Sequence, residues 1–171
     1  METVVRMGEA SASSIAGDTL ACIGLGSCIG LALVDRAKGV AALAHVMLPE
    51  SSQPDPPQPN KFADLAVPAL IDMIIAKGAS RIRLEACLVG GAAMFQFGGS
   101  GQDIGQRNGQ AVTKLLGEHR IPVRATATGG SKGRTIRVAV GNDISITVRE
   151  AGGSEEHLLG AATTARAALV S

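Results

Sequence analysis

The sequence predicts an α/β (α+β) fold in which helices pack on β-strands within a single domain. The chain has 171 residues, a length that suits one compact domain. Hydrophobic residues make up 46% of the chain but aromatic residues only 2%, so Ala, Val, Leu and Ile must fill the core. Apolar runs of strand length alternate with two segments of helical periodicity. A core of small aliphatic side chains suits helices that pack tightly on sheets.

The first part of the chain predicts three strands. Residues 21–25 and 29–34 are apolar runs on either side of a glycine-rich bend, and residues 35–39 form a turn. Residues 40–48 predict a third strand, which Pro49 ends before a proline-rich loop. Because a short turn joins the second and third strands, we expect them to pair as an antiparallel hairpin.

The central part of the chain predicts a helix followed by a strand. Residues 61–77 carry apolar side chains at helical spacing, and Gly78 is a natural C-terminal stop. Residues 81–89 alternate charged and apolar side chains and lead into a Gly-Gly-Ala bend at 90–92. Residues 97–101 are interpreted as a flexible loop. These elements make a helix-to-strand unit that ends in a bend.

The last part of the chain predicts a second helix, three strands and a terminal helix. Asn108 is expected to cap a helix that continues through Glu118 and ends before Pro122. Three strands should then form a meander, and the Ala-rich residues 155–169 predict a short C-terminal helix or tail. The strands of this expected meander are residues 123–128, 135–140 and 144–148.

The composition argues against several classes of function. Lys and Arg total 16 against 15 for Asp and Glu, without a basic stripe, so nucleic acid is not an expected partner. The N-terminus lacks a signal-peptide layout, and glycines interrupt the longest uncharged run, residues 19–34, so we expect a cytoplasmic protein without membrane insertion. Three cysteines without metal-ligand pairing predict neither a disulfide framework nor a metal site.

The bend GLGSC places Cys28 between two predicted strands and has three interpretations. A dinucleotide-binding fingerprint that begins at Gly24 would need glycine where the chain has Ile29. A buried structural cysteine is the ordinary interpretation, because free cysteine is among the most buried residue types. The third interpretation is a nucleophile, because the flanking glycines permit a tight bend that aims several N–H groups at one point, as in an oxyanion site.

A nucleophilic thiol needs a base, and His45 is the best candidate among three histidines. His119 and His157 lie beside charged residues and are expected at the surface. His45 lies inside an apolar strand, where a satisfied core histidine is the ordinary alternative. The predicted hairpin brings the residue before its first strand, Cys28, close to the end of its second strand, where His45 lies. The two side chains can therefore meet.

Several ordered motifs resemble the CheD family of bacterial chemotaxis proteins. They are GLGSC, AHVMLP, GGAAM, IGQRN and GGSKGR, and they extend from about residue 20 to about residue 148 of the single domain expected over residues 1–171. The resemblance implies a chemoreceptor glutamine deamidase. It also implies a cysteine-hydrolase fold, a layered sandwich of mixed strands with flanking helices that is similar to deamidating bacterial toxins, and a reaction without metal or organic cofactor.

The resemblance also implies roles for individual residues. The cysteine of GLGSC is the family's nucleophile and the histidine of AHVMLP its base, which correspond to Cys28 and His45. The family's third catalytic residue is usually a threonine at the position of Cys22, where either the side chain or the backbone carbonyl would orient His45. A lysine common before the GGA bend is replaced by Cys87, which is interpreted as a core residue. We expect pairing with His45 to lower the pKa of Cys28.

The implied reaction hydrolyses a receptor glutaminyl side chain through a thioester on Cys28. Backbone N–H groups around Gly26, Ser27 and Cys28 would hold the oxyanion, and His45 would protonate the departing ammonia. The remaining residues of the matching motifs are expected either to wall the pocket or to have ordinary turn and helix-cap roles. These residues are Gly90, Gly91, Arg107 and Asn108.

The resemblance implies two kinds of partner. Chemoreceptor cytoplasmic domains would be the substrates, and CheD relatives also bind CheC-type chemotaxis phosphatases. A binding module that regulates such a phosphatase, with little chemistry of its own, is therefore the alternative function. The presence of both Cys28 and His45 favours catalysis, because an inactive adaptor has no chemical need for the pair.

Overall fold

Two sheets and two helices make up the part of the chain that the structure, a computed structural model, describes, residues 1–94 and 103–160. The strands are β1 (Glu2–Val4), β2 (Ala10–Ser13), β3 (Thr19–Leu25), β4 (Ile29–Asp35), β5 (Val40–Val46), β6 (Glu85–Gly90), β7 (Val123–Thr128), β8 (Arg134–Ala139), β9 (Ser145–Glu150) and β10 (Glu155–Leu159). The helices are α1 (Ala63–Ala76) and α2 (Ile104–Glu118).

Each sheet has five strands of mixed direction. The first sheet has the order β1-β3-β8-β9-β10, and the second has the order β2-β5-β4-β6-β7. β1 runs parallel to β3 and β6 runs parallel to β7, whereas the other neighbouring strands are antiparallel. The predicted α+β class with mixed strands is therefore confirmed.

The second sheet is the middle layer of the molecule and is buried on both faces. Leu31 and Leu33 of β4 face α1 and α2, whereas Ala32 and Val34 of the same strand face the first sheet. All seven residues of both β4 and β5 are buried. Burial on both faces explains why these two strands are nearly continuous apolar runs in the sequence.

The predicted hairpin between residues 29 and 48 is confirmed. β4 and β5 are antiparallel, with Gly30 opposite His45 and Ile29 opposite Val46 at the open end of the pair. Helix α1 lies within the predicted range 61–77, and Gly78 follows it with a φ of 109°, the left-handed conformation that favours glycine.

The predicted meander of residues 123–148 is wrong. β7 pairs with β6 in the second sheet, whereas β8 and β9 form an antiparallel hairpin in the first sheet. The reason is the connection through α2, because a helix that crosses over between two strands returns the chain parallel to the first one. The glycine-rich turn after β7 then carries the chain from one sheet to the other.

The predicted C-terminal helix over 155–169 is also wrong where the structure describes it. Residues 155–159 form β10, which pairs with β9 at the edge of the first sheet, and Leu159 packs between the two sheets. Strand pairing and burial of Leu159 outweigh the local helical tendency of this segment. Residues 161–171, the rest of the predicted helix, lie outside the described residues.

Helix α2 begins earlier than predicted. Asp103 is its N-cap, with Oδ1 accepting a hydrogen bond from the Gln106 backbone N–H at 2.8 Å. Asn108 is therefore not the cap but a buried residue within the helix. The predicted loop at 97–101 lies outside the described residues.

Three further elements differ from the sequence predictions. The strand expected over 81–89 begins at Glu85, because residues 81–83 form a short 3₁₀ turn. β1 and β2 were not predicted, since both are short and carry few large apolar side chains. These two N-terminal strands join different sheets, so the segment between them crosses the edge of the sandwich.

Candidate active site

The loop that carries Cys28 is held by its carbonyl groups. Three consecutive carbonyls each accept a hydrogen bond from a group outside the loop. The Ala92 N–H donates to Gly26 (2.9 Å), the Asn108 side-chain amide to Ser27 (2.9 Å) and the Gly91 N–H to Cys28 (2.9 Å). Three anchors on three residues fix the conformation of the bend.

The predicted Gly-Gly bend after β6 packs directly against this loop. Gly90 has a φ of 110°, and a Cβ atom at this position would overlap the carbonyl oxygen of Cys28. Gly91 has a φ of 62°, and its Cβ would lie 2.9 Å from the Gly105 carbonyl oxygen. Both positions therefore require glycine for conformation and for space.

Although the carbonyl groups of the bend all accept hydrogen bonds, the N–H groups beside Cys28 remain available as donors. No described residue accepts a hydrogen bond from the N–H of Ser27 or of Cys28. Because the carbonyl and the N–H at the two ends of a trans peptide bond point in opposite directions, a bond that holds the Ser27 carbonyl also orients the Cys28 N–H. Two adjacent free N–H groups beside a thiol can stabilise a developing oxyanion.

His45 is enclosed by the segment that connects β1 to β2. Its backbone makes two hydrogen bonds with this segment. The Gly8 N–H donates to the His45 carbonyl, and the His45 N–H donates to the Glu9 carbonyl, each at 3.0 Å. Its ring Nδ1 lies 3.0 Å from the Val5 carbonyl oxygen, and the Val5 N–H donates to Ala21 of β3 at 2.7 Å. The connecting segment therefore links the His45 ring, on β5 of the second sheet, to β3 of the first sheet.

The contact with Val5 selects one tautomer of His45. A backbone carbonyl accepts hydrogen bonds and cannot donate them, so Nδ1 must carry the proton and donate to Val5. The other ring nitrogen, Nε2, is then unprotonated in the neutral imidazole. A general base needs this arrangement, with one nitrogen held and the other free to accept a proton.

The strand register brings Cys28 and His45 to the same face of the second sheet. Gly30 lies opposite His45, and Cys28 precedes Gly30 by two residues. Leu43 of β5 faces the apolar cluster between the two sheets, and His45, two residues further along the same strand, shares that face. Cys28 also packs against the apolar cluster between the sheets.

Burial favours the neutral forms of both groups. It raises the pKa of the half-buried Cys28 thiol. It lowers the pKa of His45, an effect opposed by the hydrogen bond to Val5 and by the charge of Glu9. The direction of the Cys28 shift is opposite to the sequence-based expectation that pairing with His45 would lower the pKa of Cys28, and that expectation is therefore wrong.

The other two cysteines are core residues. Cys22 is fully buried on β3, and burial, with a smaller effect of the nearby Cys28 charge, strongly raises its pKa. Cys87 is buried on β6 opposite Ala32, and burial raises its pKa to about 11. No described hydrogen bond joins Cys22 to His45. The carbonyl that contacts the His45 ring belongs to Val5. Of these thiols, Cys28 alone is partly exposed.

Arg107 is not brought to the site by any contact of the described residues. It lies on the exposed side of α2, and its side chain makes no hydrogen bond or ion pair with the described residues. A groove of about 680 Å³ between α2 and β7 includes Gly91 but neither Cys28 nor His45. The thiol and the imidazole therefore lie beside this groove rather than inside it.

Two kinds of feature are absent from residues 1–94 and 103–160. These ranges contain no group of three or more His, Cys, Asp or Glu side chains arranged to hold a metal ion. They also contain no helix with the length and apolar character needed to cross a bilayer.

A family model described as CheD, chemotactic sensory transduction, matches residues 47–150, which is more than half of the chain. This chain belongs to the CheD family. The resemblance inferred from the ordered motifs is confirmed. The matched range begins after Cys28 and His45, so the CheD match identifies the family through later parts of the fold and does not test these two residues.

Curated CheD relatives cover most of the chain. A Clostridium novyi (strain NT) protein is 48% identical over 120 residues, which are 68% of this chain and 74% of that protein. A protein of Clostridium botulinum (strain Eklund 17B / Type B) is 47% identical over 138 residues, 78% of this chain and 85% of that protein. Both are named as a probable chemoreceptor glutamine deamidase CheD.

One solved structure shows a weak likeness. It is the crystal structure of a Neisseria meningitidis protein of the DUF152 family, with a TM-score of 0.43 and 16% identity over 71% of this chain and 52% of that protein. Similarity at this level assigns neither a function nor a site to this CheD family member.

Sequence reasoning missed one group at the site and misplaced another within its helix. The Val5 carbonyl is a backbone group in a segment without a predicted strand, and its side chain carries no signal of this role. Asn108 was placed at a helix terminus, but it shares the buried face of α2 with Val112 and Leu116, at spacings of four residues. A polar residue on the apolar face of a helix was the signal that could have indicated its role.

The first prediction concerns the pH dependence of Cys28 alkylation. Because burial raises the pKa of Cys28, the alkylation rate by iodoacetamide should inflect above the value of about 8.5 for a free thiol. The measurement is the second-order rate from pH 6 to 11, roughly the range in which thiols ionise, with mass-spectrometric assignment of the labelled cysteine. An inflection below that of a free thiol that disappears in His45→Ala would instead show a thiolate–imidazolium pair.

The second prediction concerns the family's threonine position. Because Val5 holds the imidazole, Cys22→Thr should change the single-turnover deamidation rate by less than about threefold. The buried hydroxyl should lower the free energy of unfolding by about 1–3 kcal/mol unless it finds a partner. Rates and denaturant curves on the same preparations test both statements, and a rate increase above about tenfold would assign the orienting role to the threonine hydroxyl.

Proposed function

We propose that this chain is a chemoreceptor glutamine deamidase that uses Cys28 as its nucleophile and His45 as its general base. Its CheD family membership and the names of its relatives support the activity. The geometry around Cys28 supports the assignment of residues. The proposed product is a glutamyl side chain, which adds one negative charge to the receptor at neutral pH.

One observation carries this proposal more than any other. The three carbonyls of the bend at 26–28 are all anchored, and the N–H groups of Ser27 and Cys28 have no described acceptor. The two N–H groups make no hydrogen bond within the described fold, but they match the need of an acyl-transfer reaction for preorganised donors. The thiol of Cys28 lies at the same bend, on the same sheet face as His45.

The first half of the proposed reaction forms a thioester. The Cys28 sulfur attacks the glutaminyl carbonyl carbon while its proton passes to Nε2 of His45, and the negative charge that develops on the carbonyl oxygen is stabilised by the N–H groups of Ser27 and Cys28. The C–N bond then breaks, and the imidazolium returns the proton to the nitrogen, which leaves as ammonia. Proton transfer during attack suits a pair that rests in neutral forms.

The second half of the proposed reaction hydrolyses the thioester. His45 accepts a proton from a water molecule that attacks the same carbonyl carbon, and the same two N–H groups stabilise the second oxyanion. The C–S bond breaks, the sulfur takes back a proton and the carboxylate is released. This sequence needs the imidazole in both halves, so the hydrogen bond from Nδ1 to Val5 supports each of them.

The proposed partners follow from the reaction. The substrate is a glutamine in the cytoplasmic domain of a chemoreceptor, which makes the cytoplasm the proposed place of action. A phosphatase of the CheC type is a proposed second partner, as expected from the family resemblance. The two proposals are separable, because a variant that lacks the thiol can still bind a partner protein.

The third prediction tests the nucleophile. Cys28→Ala should abolish deamidation of a receptor cytoplasmic segment, since it removes the attacking atom, while the fold is retained because Cys28 is only half-buried. Mass spectrometry of the receptor peptides measures the gain of about 1 Da that replacement of an amide by a carboxylate produces. The matched control is Cys87→Ala, which removes a thiol from the core between the sheets and should keep the activity.

Two outcomes would contradict the proposed function. Unchanged deamidation by Cys28→Ala would exclude this thiol as nucleophile. Absence of deamidation by the parent protein on receptor segments, together with retained binding of a CheC-type phosphatase by both Cys28→Ala and the parent, would favour the binding module. Equal loss of activity in Cys87→Ala would indicate a stability effect rather than chemistry.

A further inference from the structure

Asn108 connects the Cys28 loop to the strand of His45. Its side chain is fully buried, and its Nδ2 donates two hydrogen bonds, to the Ser27 carbonyl at 2.9 Å and to the Met47 carbonyl at 2.8 Å. Ser27 directly precedes Cys28, and Met47 lies two residues after His45. One side-chain amide of α2 therefore contacts the backbone just before Cys28 and shortly after His45.

The position of Asn108 coincides with the end of a strand ladder. The pairing of β4 with β5 ends with Ile29 opposite Val46. Continuing the register by one residue would place Cys28 opposite Met47, but there the two chains are bridged by the Asn108 amide instead of being paired with each other. The amide thus allows the loop to leave the strand conformation while its distance from β5 stays fixed.

The hydrogen bond to Ser27 acts on a peptide unit that includes the Cys28 N–H. A planar peptide bond makes the carbonyl and the N–H a single rigid group with opposite directions. A donor that fixes and polarises the carbonyl therefore orients the N–H and makes it a stronger donor. The N–H groups of Ser27 and Cys28 have no hydrogen-bond acceptor among the described residues, so the Cys28 N–H is available to stabilise an oxyanion at this bend.

Packing alone does not explain an amide at position 108. The next positions on the same buried face of α2 are Val112 and Leu116, so an apolar side chain would continue that face. The Asn108 Oδ1 is buried without a hydrogen-bond partner among the described residues, which destabilises the fold. The two donated bonds to the loop and to β5 are the compensating interaction.

We propose that Asn108 is a positioning residue that sets the direction of the Cys28 N–H for oxyanion stabilisation. This inference rests on the proposed role of Cys28 as nucleophile. Asn108 touches neither the substrate nor the reacting atoms. It acts through the Ser27–Cys28 peptide and keeps that peptide at a fixed distance from the end of β5.

The experiment compares two reactions of the same thiol. Acylation by p-nitrophenyl acetate forms the S–C bond and breaks the C–O bond to p-nitrophenolate through an oxyanion, with the thiol proton taken by His45. Alkylation by iodoacetamide displaces iodide and forms no oxyanion. The ratio of the two rate constants at Cys28 therefore reports oxyanion stabilisation separately from the accessibility and ionisation of the thiol.

The parent protein is compared with Asn108→Ala and with Val112→Ala, a truncation one turn further along the same buried face of α2. We expect Asn108→Ala to lower the acylation rate at least about tenfold and to change the alkylation rate by less than about twofold. In Val112→Ala both rates should stay within about twofold of the parent at temperatures where it is folded.

Two results would overturn the inference. They are an unchanged rate ratio in Asn108→Ala, which includes an equal loss in both reactions, and a parent Cys28 that reacts with iodoacetamide but not with the ester. If circular dichroism shows that Asn108→Ala is unfolded, Asn108→Leu, which has a similar shape and no donor, is compared in the same way, and an unchanged ratio there also overturns the inference. Neither reagent contains a receptor glutamine, so failure of deamidation would count against the proposed function without changing this ratio.

Discussion

The geometry of the candidate site depends on the close contact between the bend after β6 and the loop of Cys28. Gly90 leaves no space for a Cβ beside the Cys28 carbonyl, and the N–H groups of Gly91 and Ala92 hold the loop from this side. The same contact continues the pairing of β6 with β4, in which Gly90 lies opposite Ile29. The loop of Cys28 is therefore held on this side by backbone packing, while the buried Asn108 side chain holds the Ser27 carbonyl from α2.

The imidazole is positioned by a separate part of the chain. The segment between β1 and β2 crosses from one sheet to the other, and its Val5 carbonyl fixes the tautomer of His45. The thiol and the imidazole are thus supported by different parts of the sequence, with β4 and β5 as the shared scaffold. With separate supports for the two groups, a core built mainly of aliphatic side chains, without Trp or Tyr, can hold both Cys28 and His45.

The sequence predicted those features of the site that depend on local structure. The antiparallel hairpin that carries Cys28 and His45 at its open end was predicted from the short turn between its strands, and the GGA bend was recognised from its composition. The Val5 carbonyl was not predictable, because a backbone atom distant in sequence leaves no side-chain signal. β7 was assigned to the wrong sheet because its alternation fits either sheet and only the crossover through α2 decides the pairing.

The central claim is that deamidation passes through an acyl group on Cys28, and rapid-quench mass spectrometry tests it most directly. The protein is mixed with a receptor peptide that contains a substrate glutamine, the reaction is stopped with acid within the first turnover, and the intact mass is read. The account predicts a species equal to protein plus peptide minus ammonia, with the peptide mapped to Cys28. Formation of glutamate without such a species, or with the peptide attached to another residue, would contradict it.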